Sequence, residues 1–323
     1  MSPAVAVSKL PLHGGKAPRW LFKRMVALAC SIFGIMSGQL GTAATLERLC
    51  DPFWFQSLSC VLGFDWHSLG TTTVTMGALK QALDPSEHGI FVSGGKGAAS
   101  RKTPSELIAA AEDGFLSDSR ARELVKVSKL SAKVDSALVQ DGYGLYHHNL
   151  IFDGRGNWGV IQQGMSASAG DARRYQWGRR ELSSFFDDPH RGVLGPMRKP
   201  EVLDMASSDS GEARKGCVDI VKDMSSLKAD IAAAAAHSRG QSTLFDFNGQ
   251  RAPEKRLDMP LRINWKLMDE LYDFSPSGYD ELVQFPGVGE KTVRALALVS
   301  MLIYGTECSW KDPMKYTYTV GGK

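Results

Sequence analysis

The sequence predicts an α+β fold: a mixed N-terminal domain with a β-hairpin in its sheet, then a mainly helical C-terminal region with a helix-hairpin-helix. Three observations carry this. "YGLYHHNLIF" and "WGVIQQGM" are apolar-rich runs joined by "DGRGN", whose Asp-Gly and Gly-Asn pairs signal a hairpin. "INWKLMDELYDFSPSGYDELVQFPGVGEKTVRALALVSMLIYG" is helical by period, broken at "SPSG" and "PGVG". From about Arg191 the composition loosens into Gly, Pro, Ser and charge. The expected organisation is therefore a disordered leader over 1–10, a mixed and candidate catalytic domain over 11–192, a linker with a helix over 193–255, and a helical region over 256–323.

Along the chain, "LPLHGGKAP" reads as a loop ending where Pro18 opens a helix over 18–36. "DPFWFQSLSCVLGFDW" starts with an Asp51 N-cap and Pro52 at the first helical position, and its aromatics are candidate core. Another helix is expected over 72–83. "HGIFVSGGKGAASRKTP" reads as a short strand and a glycine turn, followed by a capping box of Thr103 and Glu106 before "ELIAAAED". After the hairpin, a helix is expected over 172–186, and another at "ADIAAAAAH" within the linker.

The 323 residues have room for two domains and a substantial core. The 43% hydrophobic and 23% charged residues are those of an ordinary globular protein, and a net charge of +3 selects no partner. Five cysteines, scattered and without a C-x-x-C pair, argue against a zinc or redox motif and fit a reducing, cytoplasmic compartment. Lys16, Arg19, Lys23 and Arg24 precede "MVALACSIFGIM" in loose imitation of a secretory signal. Trp20, Leu21, Phe22, Met25 and Leu28 instead fit an amphipathic helix packed on a core, and the run falls short of the about 20 apolar residues a bilayer needs. No membrane partner is expected.

The hairpin gathers the candidate chemistry. A five-residue loop sets Phe152 against Trp158, which places His148 near Gln162 and His147 near Gln163. With Lys133, Asp135, Gln140, Asp141, Tyr143 and Asn149 upstream, the open end of the hairpin is expected to be polar. Carboxylates and histidines at a strand edge suit metal-assisted phosphodiester chemistry, a divalent ion such as Mg or Mn polarising the phosphate. Asp135, Asp141, His147 and His148 are the catalytic candidates, and Asp141 with His148 the metal candidates. The alternative is a solvated strand end with a satisfied histidine.

"ARRYQWGRR", read on a helix, interleaves Arg173, Arg174, Arg179 and Arg180 with Tyr175 and Trp177, combining phosphate-neutralising charge with rings for base stacking. The alternative is a solvated basic face with a buried Trp. Gly94, Gly95, Lys96, Arg101 and Lys102 form a candidate phosphate loop without Walker spacing, and Lys16 follows a similar glycine pair. His13, His67 and His190 sit among turn residues.

In "QFPGVGEKTVRALAL", Gly287 and Gly289 supply positive φ for a tight turn and Val288 plugs it into the core. The backbone N–H groups of Val288 to Lys291 and the positive end of the helix that follows are expected to face a phosphate, with Lys291 and Thr292 adding contacts. Such a grip reads backbone position and not base sequence. The alternative is an αα-hairpin without a ligand.

Leu282, Phe285, Pro286, Gly287, Val288, Gly289, Lys291 and Ala295 resemble the helix-hairpin-helix element of DNA repair proteins. In base-excision glycosylases built on it, an acidic residue about twenty residues onward assists base loss, so the resemblance implies Asp312 as a further catalytic candidate, with Lys291 as the lysine in the hairpin. "PLHGGKAPRWLF", "DPFWFQSLSCVLGFDWHS", "GGKGAASRKTP", "SAKVDSALVQDGYGLYHH", "VIQQGM" and "ARRYQW" together resemble a prokaryotic family known as domain of unknown function 763. Gln176 stands where the family's His is expected, and relatives are expected to continue past "YTYTVGGK". The expectation is a DNA-binding protein of DNA repair or processing with nuclease-like chemistry, with glycosylase-like activity or non-enzymatic DNA binding as alternatives.

Overall fold

A computed structural model describes residues 17–64, 70–180, 182–223, 226, 229 and 264–317. The leader, Lys16, His13, His67 and, apart from Ala229, the "ADIAAAAAH" helix lie outside the described residues. A six-stranded sheet divides the molecule, with strand order β1-β3-β4-β5-β6-β8. The strands are β1 (Ile90–Lys96), β3 (Gly144–Asp153), β4 (Trp158–Ser166), β5 (Asp171–Gly178), β6 (Gly192–Gly195) and β8 (Tyr316–Thr317). Neighbours are antiparallel except β6 and β8. A small antiparallel pair, β2 (Val139–Gln140) and β7 (Leu203–Asp204), stands beside it.

One face carries α1 (Arg19–Leu40), α2 (Thr42–Cys50), α3 (Pro52–Val61), α4 (Gly70–Ala82) and α5 (Pro85–His88), whose buried Met25, Phe33, Leu49, Phe55 and Leu79 pack with Ile90, Ile151 and Ile161 of the sheet. Asp51 caps α3 as expected, accepting from Trp54 N at 2.8 Å, with Pro52 opening the helix. α1 runs four residues past the end of the helix expected over 18–36. Its 22 residues are long and apolar enough to cross a membrane by length and composition. It packs through Met25, Ala29 and Phe33, whereas Trp20 and Leu28, expected on the packed face, are exposed.

The other face carries α6 (Thr103–Glu112), α7 (Asp118–Lys133), α8 (Gly211–Lys222), α9 (Trp265–Phe274), α10 (Tyr279–Gln284) and α11 (Glu290–Tyr304). Leu124 and Leu130 of α7, Val160 of β4, Cys217 of α8, Leu282 of α10 and Leu296 of α11 belong to one buried cluster, so the C-terminal helices and the sheet share a core. Each of these Leu and Val side chains contributes roughly 1.5–3 kcal/mol when fully buried.

Two local expectations are overturned. The helix over 172–186 is instead β5 followed by irregular chain, because Arg173, Tyr175 and Trp177 alternate with Arg174 and Gln176, and both edges of the strand find partners in β4 and β6. The capping box does not form: Thr103 is the first residue of α6 and its hydroxyl donates to Ser100 O. Glu106 instead accepts from Gly94 N and Lys80 Nζ, each at 2.8 Å. Local pattern proposed those pairings, and tertiary contacts supplied better ones.

Candidate functional site

β3 and β4 pair in the expected register, Phe152 opposite Trp158, His148 opposite Gln162 and His147 opposite Gln163. β5 continues the row with Tyr175 opposite Gln162 and Arg174 opposite Gln163. Alternation along the strands therefore puts His148, Gln162 and Tyr175 on the face under α7, and His147, Gln163 and Arg174 on the other. This is no solvated strand end, because His147, His148, Gln162 and Gln163 are only 2, 5, 0 and 3% exposed.

Beyond Lys133, α7 runs into a single π turn, Val134–Leu138. The wider turn re-aims side chains, as such bulges do at many functional sites. Asp135 emerges fully buried against the sheet. Its Oδ2 accepts from Gln162 Nε2 at 2.5 Å and Trp177 Nε1 at 2.9 Å, and its Oδ1 lies 2.5 Å from His190 Nε2. His190 thus joins the site from a loop.

The direction of the next hydrogen bonds is fixed. Gln162 Nε2 also donates to Ser131 O at 3.2 Å, and a backbone carbonyl only accepts, so the amide nitrogen faces α7. Gln162 Oε1 must then accept from His148 Nδ1, 2.8 Å away. That places the imidazole proton on Nδ1 and leaves the Nε2 lone pair for the Ser128 hydroxyl at 2.9 Å. Burial lowers the His148 pKa, with Gln162 and Asp135 opposing, so the ring is neutral near pH 7. Ser128, His148, Gln162 and Asp135 form a one-way chain that draws a serine proton toward a base.

A second buried cluster adjoins the first. Arg173 Nη1 donates to Asp141 Oδ2 and to Asp312 Oδ1, each at 2.9 Å, and Nη2 donates to Asp312 Oδ2 at 2.8 Å. Tyr175 Oη donates to Asp141 Oδ2 at 2.6 Å, and Tyr143 N to Oδ1 at 3.1 Å. Burial raises the Asp141 pKa, although Arg173 and Tyr175 oppose it. Asp141 and His148, expected as metal ligands, spend their atoms on different partners: Arg173, Tyr175 and Tyr143 N hold the carboxylate, and Gln162 and Ser128 the two ring nitrogens. Among the described residues, Cys30, Glu87 and His88, on the opposite face, make a group of potential metal ligands within 4.8 Å of one another.

The basic, aromatic DNA surface expected from "ARRYQW" is likewise corrected: Arg173, Arg174, Tyr175 and Trp177 are at most 1% exposed. Arg174 lies over the Phe55 ring and donates to Gln176 Oε1. Asp312 is an ion-pair partner of Arg173, its carboxylate also accepting from Lys199 N and Met314 N. Gly94, Gly95 and Lys96 belong to β1 and pair with Asn149, His148 and His147. At Gly94, φ is +82° and a Cβ would meet His148 O at 2.2 Å, so the glycine serves close strand approach.

Asp204, 4% exposed, accepts from Ala206 N, and burial pushes its pKa up from 3.8 to about 6 although His190 opposes. Between those values the folded protein holds a proton the unfolded chain has lost. Stability from this group is full below pH 3.8 and falls by about 3 kcal/mol as pH rises through and beyond about 6. Urea midpoints across pH 3.5–7 are expected to show that fall, and Asp204→Asn to flatten it.

A cavity of about 260 Å³ opens on the serine end of the chain, lined by Ser128, Lys129, Arg101, Tyr146, His147 and His148 among others. Among the described residues, neither ring nitrogen of His147 has a partner of hydrogen-bond geometry, the Asn149 side chain close by included. Burial, with His148 and Lys96 adding to it, pushes its pKa down to about 3. Lys96, Arg101, Lys102 and Lys129 are exposed around this part of the surface.

The turn between α10 and α11 packs against the same helix. Lys133 Nζ donates to Val288 O at 2.6 Å, and Gln140 Nε2 to Glu290 O at 2.9 Å. Gly287 has φ +91°, whereas Gly289 at −142° is extended, so only the first glycine supplies the left-handed turn. Val288 is buried and its N–H closes the turn on Phe285 O, which removes it from the groups expected to meet a phosphate. Pro286, Gly287, Glu290 and Lys291 are exposed and Thr292 is half-buried.

Ser128, absent from the sequence candidates, had a readable signal. With Ser131 and Asp135 it puts polar groups at helical spacing onto the otherwise apolar face of Leu124, Val127, Leu130 and Val134. A family model described as protein of unknown function, DUF763, matches residues 6–323, and the chain belongs to that family. No curated protein and no solved structure matches it.

Proposed function

We propose that this member of that family is a DNA-binding protein of DNA repair or processing that grips backbone phosphates at the α10–α11 turn and acts on a phosphodiester in the His148 cavity. One observation carries the reading: α7 joins the two places. Lys129 lines the cavity, and Lys133 donates to Val288 O of the turn. Four residues of helix rise about 6 Å, less than the spacing of two nucleotides.

The turn has the order Phe-Pro-Gly-Val-Gly of the helix-hairpin-helix element, and the first turn of α11, which has no side-chain cap among the described residues, offers its N–H groups and a positive helix end. Glu290 in that turn opposes an anion and Lys291 favours one, so the grip is weak and salt-dependent. At the cavity, neutral His148 supplies a general base and Arg101 and Lys129 supply charge for a phosphate. Asp141 and His148 do not fit together as ligands of Mg or Mn, so no step is assigned to a metal.

Gly289→Asp tests the grip, because a Cβ there meets nothing within 4 Å and the backbone is already extended. The variant is expected to weaken binding to duplex, single-stranded or branched DNA by about tenfold or more, like charges in contact costing upward of ~1 kcal/mol. Gel shifts at low salt measure this, and labelled strands with and without Mg or Mn measure cleavage. Failure of the wild type to shift any DNA, with Gly289→Asp unchanged, would sink the reading.

A further inference from the structure

We infer that Ser128 is the nucleophile of this site: its hydroxyl, lining the cavity and hydrogen-bonded to the Nε2 of His148, attacks the phosphorus of a DNA phosphodiester and becomes covalently attached to it. The inference rests on the proposed function and adds a residue and an intermediate to it. A serine inside a helix usually turns its hydroxyl back to a carbonyl of the preceding turn, as Ser131 and Ser136 do with Ser128 O and Lys133 O. Ser128 instead reaches across to the sheet, 20 residues away in sequence.

The orientation of the whole chain follows from the Ser131 carbonyl, which accepts from Gln162 Nε2 and so sets Gln162 Oε1 against His148 Nδ1. A nucleophile, a base in the required tautomer and a group that orients the base are thus in hydrogen-bond sequence. Arg101 and Lys129 line the same cavity and supply the cations a phosphate needs. In the step, the Ser128 Oγ–P bond forms and the P–O bond to the departing sugar oxygen breaks. The serine proton passes to His148 Nε2 and reaches the departing oxygen through solvent. Water then cleaves the Oγ–P bond, regenerating the serine and leaving a phosphate terminus.

The experiment uses the full chain with end-labelled DNA and, separately, a fluorophosphonate, whose P–F bond breaks as Oγ–P forms. Wild type is expected to cleave DNA, to give a denaturation-resistant DNA adduct, and to carry the phosphonate on the peptide containing Ser128. Ser128→Ala is expected to bind DNA normally, with cleavage reduced roughly a thousandfold or more and no adduct. Melting curves of Ser128→Ala and Ser128→Cys establish folding, and Ser128→Cys is expected to retain adduct formation. Cleavage by Ser128→Ala at the wild-type rate, or an adduct at another residue, overturns the inference while the DNA reading stands. Phosphonate on Ser128 without cleavage of any DNA supports the nucleophile and removes the DNA reading. Neither label nor adduct on the wild type overturns the inference whatever the DNA result.

Discussion

Arg173→Met is expected to lower folding stability by roughly 3–5 kcal/mol, the cost of removing one partner from a buried ion pair. The guanidinium is wholly buried and binds Asp141 and Asp312, whose side chains are 1 and 2% exposed. Methionine fills a similar volume, so the loss comes from charge and not from a void. Two carboxylates would remain in a dry site, still receiving hydrogen bonds from Tyr175, Tyr143 N, Lys199 N and Met314 N but without the guanidinium that pairs with both. Asp312→Asn removes only one charge and is expected to cost less, and Arg173→Met with Asp312→Leu to recover part of the loss. Urea denaturation with unchanged m-values measures all three. A loss under about 1 kcal/mol for Arg173→Met would mean that water reaches the cluster.

The contrast between this cluster and the hairpin explains how far the sequence could be read. The β3–β4 register was legible because the period of two and the Asp-Gly…Gly-Asn loop are local, and a one-residue slip would reverse every side chain. The role of Arg173 was not, because its carboxylate partner Asp312 lies 139 residues away. β5 was misread for a related reason: Arg, Tyr and Trp suit a basic helix face as well as a strand, and only pairing with β4 and β6 decides. At the site, Asp135, His148 and Gln162 could be nominated singly from the sequence. Their order could not, since it depends on how α7 docks on the sheet and on a π turn that no simple periodicity announces.

Asp135→Asn is expected to slow phosphodiester cleavage by about 10²- to 10⁴-fold, the range associated with impaired acid–base catalysis, while leaving stability within about 1 kcal/mol. Asparagine can place its oxygen where Oδ2 now accepts from Gln162 and Trp177, and its NH₂ group opposite His190, which can accept by moving its proton to Nδ1. Every buried hydrogen bond is thereby kept, so the fold loses little. What disappears is the negative charge, which favours the protonated form of His148. The imidazole becomes a weaker base, and the imidazolium formed during proton transfer is no longer balanced through Gln162. The defect should fall on kcat and not on DNA affinity, because the turn at Gly287 and Gly289 is untouched. It should also move the acid limb of the pH profile lower, since His148, already held below 6.5 by burial, loses the group that raised it. Equal rates for Asp135→Asn and wild type would show that the buried chain maintains the fold and does no chemistry. A rate loss with the acid limb unmoved would place the effect of Asp135 elsewhere than on His148.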